Sequence, residues 1–356
     1  MPETCRAAVF LGNGHYEIRE LRVPSPPPGG AVLRVEAVGL CGSDLAQLHG
    51  VELVPGASVF PVVPGHETVG RVVALAPDAD LGVAEGDRVA VDEVLSVAPP
   101  LQVYGYSDMT GAGEVGLWGG YGEYMEIFAG TNLHVLPSDL PAAELTVFEP
   151  LANAVNWVSV AGVEAGDTVV IQGPGHQGLA VLVAVLARKP STVVVTGTSA
   201  DGLRLATATA MGATETVMVD VDDPVTVVKD LTHGMGADKV FDIATAVQTV
   251  PMAFELVAFR GTVLLAGLKH FAEIPGFVSD KIVVAGLKVF GGSGFTPTSM
   301  TEAVALLRSG AVDTGAMAGE VFDIEHLDEA MALLDRSDPS RDAVRVSLAH
   351  TTNQPA

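Results

Sequence analysis

Residues 164–198 read EAGDTVVIQGPGHQGLAVLVAVLARKPSTVVVTGT. The apolar run TVVIQ leads into the glycine turn GPGHQG, then into a stretch of small and apolar residues, then into a second apolar run, TVVVTG. This is the pattern of strand, turn, helix and strand, one βαβ unit. Both strands are apolar throughout rather than alternating, as expected of parallel strands covered by helices on both faces. Gly173, Gly175 and Gly178 form G-x-G-x-x-G between strand and helix. The first glycine permits the tight turn, the second lets the backbone approach a pyrophosphate, and the third lets the helix pack closely on the strand. His176 and Gln177 then open the helix, whose free amides and dipole favour an anion. In this context the fingerprint predicts a dinucleotide site.

Working outward, the alternation continues through DGLRLATATAMGATETVMV, DPVTVVKDLTHGMGADKVFDIA, VPMAFELVAFRGTVLLAGL and KIVVAGLKVFGG. Before residue 150 the chain instead carries short β-branched runs separated by Gly and Pro, which are strand and turn signals. After Gly294, MTEAVALLRSGAV and IEHLDEAMALLDRS have helical patterning, and AVRVSLA reads as a closing strand. The expected fold class is α/β: a β-rich domain at 1–150, a doubly wound dinucleotide-binding (Rossmann) domain at 151–294, and a return to the first domain at 295–356.

The 43 acidic and 19 basic residues give a net charge of -24, a surface that repels a phosphate backbone or an anionic membrane. Neither nucleic acid nor a membrane is expected as a partner. Hydrophobic residues make up 48% and charged residues 17%, which excludes a disordered chain. No apolar run reaches the roughly 18 residues of a membrane span, and the first residues lack the pattern of a signal peptide, so a cytoplasmic location is expected. Two cysteines, Cys5 and Cys41, cannot build a disulfide framework.

An acidic residue about 20 positions beyond the glycine turn commonly receives the ribose hydroxyls of NAD. Here that place falls on Thr198 or Ser199, with Arg204 a turn further on, and the balance leans slightly to NADP over NAD. Asp201 weighs the other way, because it would reach the ribose and repel a 2'-phosphate.

Ligand-type residues cluster in three places before the dinucleotide fold: Cys41 with Ser43 and Asp44, His66 with Glu67, and Glu149. Thiolate, imidazole and carboxylate together suit zinc. Singly, each has a plainer explanation: a small core residue, a satisfied turn histidine, a charge at a helix start.

CGSD at 41–44, GHETVGRV at 65–72, EGDRVAV at 85–91, GGYGEYM at 119–125, EPLANA at 149–154 and GPGHQG at 173–178 follow one another in an order and spacing that resembles zinc-dependent alcohol dehydrogenases. The chain is similar over nearly its whole length to the medium-chain dehydrogenase/reductase superfamily, and the Glu of EPL is most similar to its sorbitol dehydrogenase-like branch. The resemblance implies a GroES-like catalytic domain beside the Rossmann domain and hydride transfer between an alcohol and a nicotinamide cofactor. It implies zinc ligands Cys41 and His66 with either Glu67 or Glu149, the remaining Glu exchanging as a further ligand. It makes Asp44 the carboxylate that orients His66, Ser43 the acceptor of the alcohol proton, and His49 a candidate next step, because Ala46 stands where relatives often have His. Backbone at Ala266 and Gly267 would approach the nicotinamide.

The lobe between Asp92 and Trp118 departs from relatives that carry four cysteines there: it has none, so one catalytic zinc and no structural zinc are expected, with Leu101, Val103, Tyr104 and Tyr106 packing in place of the metal. KIVVAGLKVFGG resembles the edge strand through which relatives pair, which implies a homodimer or homotetramer. Phe60, Leu117, Trp118, Asn153 and Phe295 are candidates for the substrate cleft, for a secondary alcohol, a polyol or an aromatic primary alcohol. Two other readings are a zinc-free reductase of the same superfamily and a dinucleotide-binding protein without turnover.

Overall fold

The computed structural model describes residues 1–52, 59–96, 101–338 and 340–350. The chain forms two compact units, one of residues 1–148 with 318–356, the other of residues 149–317.

In the first unit a sheet of seven strands is built around Ala31–Gly39, which pairs antiparallel with Glu67–Leu75 on one side and Val346–Ala349 on the other, while Tyr124–Ile127 also pairs with it. The central strand is AVLRVEAVG, and all but Arg34 and Glu36 are buried. Apolar groups therefore fill both of its faces: Val32 and Val38 join Phe10 and Tyr121 in one cluster, Leu33 and Val35 join Met125 and Ile127 in another.

The second unit is a parallel sheet of six strands, Thr168–Gln172, Thr192–Gly197, Glu215–Met218, Ala237–Asp242, Val257–Leu265 and Lys288–Gly291. Taken first to sixth in chain order, they lie in the spatial order 3-2-1-4-5-6, the doubly wound arrangement expected from the apolar runs. The order reverses between the first and fourth strands, so a ligand crevice is expected at their carboxyl ends. The sixth strand forms an edge, and all four of its residues are exposed.

The unit boundary differs from the sequence expectation. Residues 295–317 belong to the dinucleotide unit rather than to the return, because helix Pro297–Arg308 buries Met300, Ala303, Val304 and Leu307 there. The chain rejoins the first unit at Ala318. A helix with one apolar stripe fits either unit equally well as a pattern, so periodicity alone does not choose between them.

Candidate active site

Strand pairing brings the first site residues together. Gly39 lies opposite Glu67 in the antiparallel register. Two residues beyond Gly39 the chain reaches Cys41, the N-cap of helix Gly42–Leu48; one residue before Glu67 stands His66. A carboxylate oxygen of Glu67 lies within 4.8 Å of the Cys41 sulfur, and one lies within 4.8 Å of a His66 ring nitrogen.

Asp44 ties the two neighbours into a fixed geometry. Its Oδ2 accepts the Cys41 backbone N–H at 2.8 Å, and its Oδ1 lies 3.4 Å from His66 Nδ1. Asp44 is wholly buried. Burial opposes a charge on the His66 ring, yet Tyr106, Asp44 and Cys41 around it outweigh burial and push its pKa well above the ordinary imidazole range. The ring sits among groups that favour a cation.

Glu67 is also wholly buried, and its Oε2 accepts from Nη2 of Arg345. Arg345 reaches across the central strand, and the absence of a side chain at Gly39 makes room: a Cβ there would stand 2.0 Å from both Arg345 Nη2 and Glu67 Oε2. Thr146 completes the arrangement, accepting from Arg345 Nε at 3.0 Å through its hydroxyl and from Nη2 at 2.8 Å through its carbonyl. Glu67 Oε1 is buried with no hydrogen-bond partner among the described residues. Such an orphan oxygen is costly unless a donor or cation meets it. With sulfur, imidazole nitrogen and carboxylate oxygen gathered at one place, the donor set fits zinc.

Tyr106 joins this site, which its place in a lobe of apolar packing did not suggest. It does pack with Leu101 and Val103, while Tyr104 is buried with the core around Met125 and Ile127. Its ring centroid also lies 5.6 Å from that of His66, and its phenol bonds to the Ser43 side chain. Burial raises the phenol pKa, so the group stays protonated. Gln47 pins this loop to the helix by donating to the Gly105 carbonyl at 2.9 Å. His49, by contrast, is exposed at the helix C-cap, beside Gly14.

In the second unit the fingerprint glycines stand at the turn between the first strand and helix His176–Leu186. Gly173 has φ +102 and packs against Ala244. Gly175 caps helix His176–Leu186 and has open space where a Cβ would stand. At Gly178 a Cβ would lie 1.9 Å from the Gly173 carbonyl oxygen. Gln177 turns its side chain to the Pro150 carbonyl, donating at 2.8 Å. Glu149 opens this unit on helix Phe148–Ala161, where Asn153 Nδ2 donates to its Oε1 at 2.6 Å.

Beyond the second strand, Thr198 donates to Asp201 Oδ2 from both N–H and hydroxyl at 2.8 Å. Ser199 donates its N–H to Asp220 Oδ1 at 2.8 Å and its hydroxyl to Oδ2 at 2.5 Å. Those two bonds hold the Asp220 carboxyl below its usual range. Arg204 lies half-buried on the helix that follows. Asp220, just past the third strand, has no sequence signal at the usual distance from the glycines. Ala266 and Gly267 both donate backbone N–H to the Asp242 carbonyl at 2.9 Å.

Two substrate candidates do not hold their expected place. Leu117 and Trp118 are buried in the two cores of the first unit, and Trp118 Nε1 donates to Glu126 at 2.9 Å. Their side chains are spent on packing. Phe60 is 38% exposed and Phe295 is half-buried.

Residues 27–138 match the family described as alcohol dehydrogenase GroES-like domain, and residues 175–309 match zinc-binding dehydrogenase. The chain belongs to the zinc-dependent alcohol dehydrogenases. Such an enzyme is an oxidoreductase that interconverts an alcohol and its carbonyl compound with a nicotinamide cofactor. A probable alcohol dehydrogenase of Mycobacterium tuberculosis is 35% identical, over 92% of this chain and 94% of the relative. An erythritol/L-threitol dehydrogenase of Mycolicibacterium smegmatis is 30% identical over 98% of both chains. In fold, the dehydrogenase superposes on an alcohol dehydrogenase of Thermotoga maritima with TM-score 0.86 and 21% identity, covering 98% of this chain and 99% of that one. No helix among the described residues is long and apolar enough to cross a membrane.

Proposed function

We propose that this dehydrogenase oxidises a secondary alcohol or polyol to its ketone, reversibly, at one catalytic zinc per chain held by Cys41 and His66 with a glutamate, either Glu67 or Glu149. At Glu67, Arg345 engages only Oε2, which leaves the buried Oε1 to meet a cation. The observation that carries the reading is the shared Asp44 carboxylate, which fixes the Cys41 backbone and faces His66 Nδ1. When bound, zinc polarises the substrate oxygen and lowers the pKa of its hydroxyl, and the nicotinamide accepts or returns the hydride.

The chain's own residues supply position and a proton acceptor. Asp44 holds His66 with its Nδ1 side inward, leaving Nε2 for the metal. Ser43 relays the alcohol proton, its oxygen accepting it as its own hydroxyl proton passes to water, and its side chain is hydrogen-bonded to the Tyr106 phenol. The polyol reading draws support from the erythritol/L-threitol relative and from relatives named sorbitol dehydrogenase.

For the cofactor, the donors of Thr198 and Ser199 are already committed to two carboxylates, and a 2'-phosphate would meet Asp201 and Asp220. This supports NAD, against the lean to NADP in the sequence. A cytoplasmic location, and pairing of two chains through the exposed edge strand Lys288–Gly291, belong to the same reading.

Metal content of the dialysed enzyme, measured beside Cys41→Ala, tests the site. About one zinc per chain, lost in the variant, is expected. Zinc-free protein, or zinc unaffected by the substitution, refutes it. A panel of secondary alcohols, polyols and primary alcohols with each cofactor then tests substrate class.

A further inference from the structure

Lys269 lies at the carboxyl end of the fifth parallel strand with its ammonium turned inward rather than to water. Its Nζ is 2.9 Å from Asp242 Oδ2, and the two side chains are 9% and 0% exposed. The same Nζ donates to the carbonyl of Ala244. Asp242 ends the fourth strand, and its other oxygen accepts the Thr249 hydroxyl at 2.8 Å. Its backbone carbonyl accepts both Ala266 and Gly267 N–H at 2.9 Å. One ion pair thus clamps the turn after the fourth strand to the turn after the fifth.

Ala244 is the meeting point. A Cβ on Gly173 would press on its backbone nitrogen at 2.9 Å, and a Cβ on Gly267 would stand 2.0 Å from its carbonyl oxygen. Beyond the clamp, His270 and Phe271 both adopt left-handed backbone, with φ 51 and 59.

The direction of the cofactor follows from strand order. The glycine turn after the first strand takes the pyrophosphate. The carboxylates of Asp201 and Asp220, after the second and third strands, lie on the adenosine side of it. The other half of a dinucleotide must then extend over the ends of the fourth and fifth strands, where the two clamped turns stand.

We propose that Lys269, through Asp242 and Ala244, is a positioning residue for the nicotinamide half of the cofactor. The proposal rests on the reading of the glycine turn as a nicotinamide dinucleotide site. The pair makes no hydrogen bond to the pyrophosphate turn or to Thr198 and Ser199 and meets that turn only through the packing of Ala244 on Gly173, so its loss weighs mainly on the nicotinamide half.

The test is the binding of NADH and of ADP-ribose, which lacks the nicotinamide, to full-length wild type and Lys269→Met, followed by fluorescence and calorimetry. The variant is expected to weaken NADH roughly tenfold or more, about 1.4 kcal/mol, while ADP-ribose changes less than about twofold. Lys269→Arg, which keeps a cation for Asp242, is expected to recover part of the NADH affinity. Equal weakening of both ligands, or no change in either, overturns the proposal. If Lys269→Met does not fold, Asp242→Asn carries the same comparison with the same two outcomes. Failure of wild type to bind either ligand overturns the cofactor reading itself, and the proposal with it.

Discussion

Arg345 and Glu67 form a buried ion pair that spans the central strand of the first unit through the gap left by Gly39. Their separation of 278 positions makes it a property of the closed sheet and of nothing local. Arg345→Met leaves Glu67 buried without its cation and should destabilise the protein by about 3–5 kcal/mol. Adding Glu67→Gln should recover much of that loss, because the remaining group is neutral. Urea unfolding of the single and double variants checks both values; additive losses would show that the two residues act separately.

Asp44→Asn replaces the carboxylate that accepts the Cys41 N–H and lies 3.4 Å from His66 Nδ1. Outer carboxylates of this kind typically contribute 10–100-fold to metal affinity. Competition with a chromogenic chelator should show weaker zinc retention by about that range, with the melting temperature falling less than in Arg345→Met. Unchanged retention would mean that Asp44 serves only the helix N-terminus.

The fingerprint glycines separate into a structural and a ligand-facing position. Gly178→Ala places a methyl 1.9 Å from a backbone carbonyl and should lower the melting temperature markedly. Gly175→Ala meets nothing within the protein, so its stability should be near wild type while NADH affinity drops, since the methyl occupies the path of the pyrophosphate. Differential scanning fluorimetry beside NADH titration distinguishes them.

Asp220→Ala removes one of the two carboxylates beside Ser199 and frees both Ser199 donors. The ratio of kcat/KM with NADP to that with NAD should rise roughly tenfold, as relief of like-charge repulsion predicts. A ratio that does not move places the 2'-position elsewhere.

Acid sensitivity is expected from Glu36. Burial alone would raise its pKa, but Arg88 and Arg71, whose Nε atoms donate at 2.6 and 2.9 Å, hold it below the ordinary value of 4.5. A carboxyl depressed on folding contributes stability above its unfolded pKa and loses it as pH falls through the folded one. Unfolding free energy should therefore drop as pH falls below about 4.5, and Glu36→Gln should flatten that part of the profile.

The parallel sheet and the glycine turn were legible in sequence for a common reason, whereas the grouping of CGSD with GHE was implied by the family resemblance. Both depend on residue types at short spacing: apolar runs long enough for a strand and glycines where backbone must approach backbone. Helix 297–308 was legible as a helix but not as a member of the dinucleotide unit, since an apolar stripe does not name the surface that covers it. Leu117 and Trp118 were drawn toward the cleft by position and proved to be core.

By itself the sequence determined the two-unit α/β architecture, the dinucleotide turn and the candidate metal donors Cys41, His66, Glu67 and Glu149. Only the tertiary structure decided that Arg345 engages Glu67, that Tyr106 reaches Ser43, that Asp220 takes both donors of Ser199 and that Lys269 is buried on Asp242. Each of these joins elements distant in the chain. Local patterning records the period and the turns of a chain, whereas a charge buried far from its partner in sequence is fixed only when the strands between them have closed.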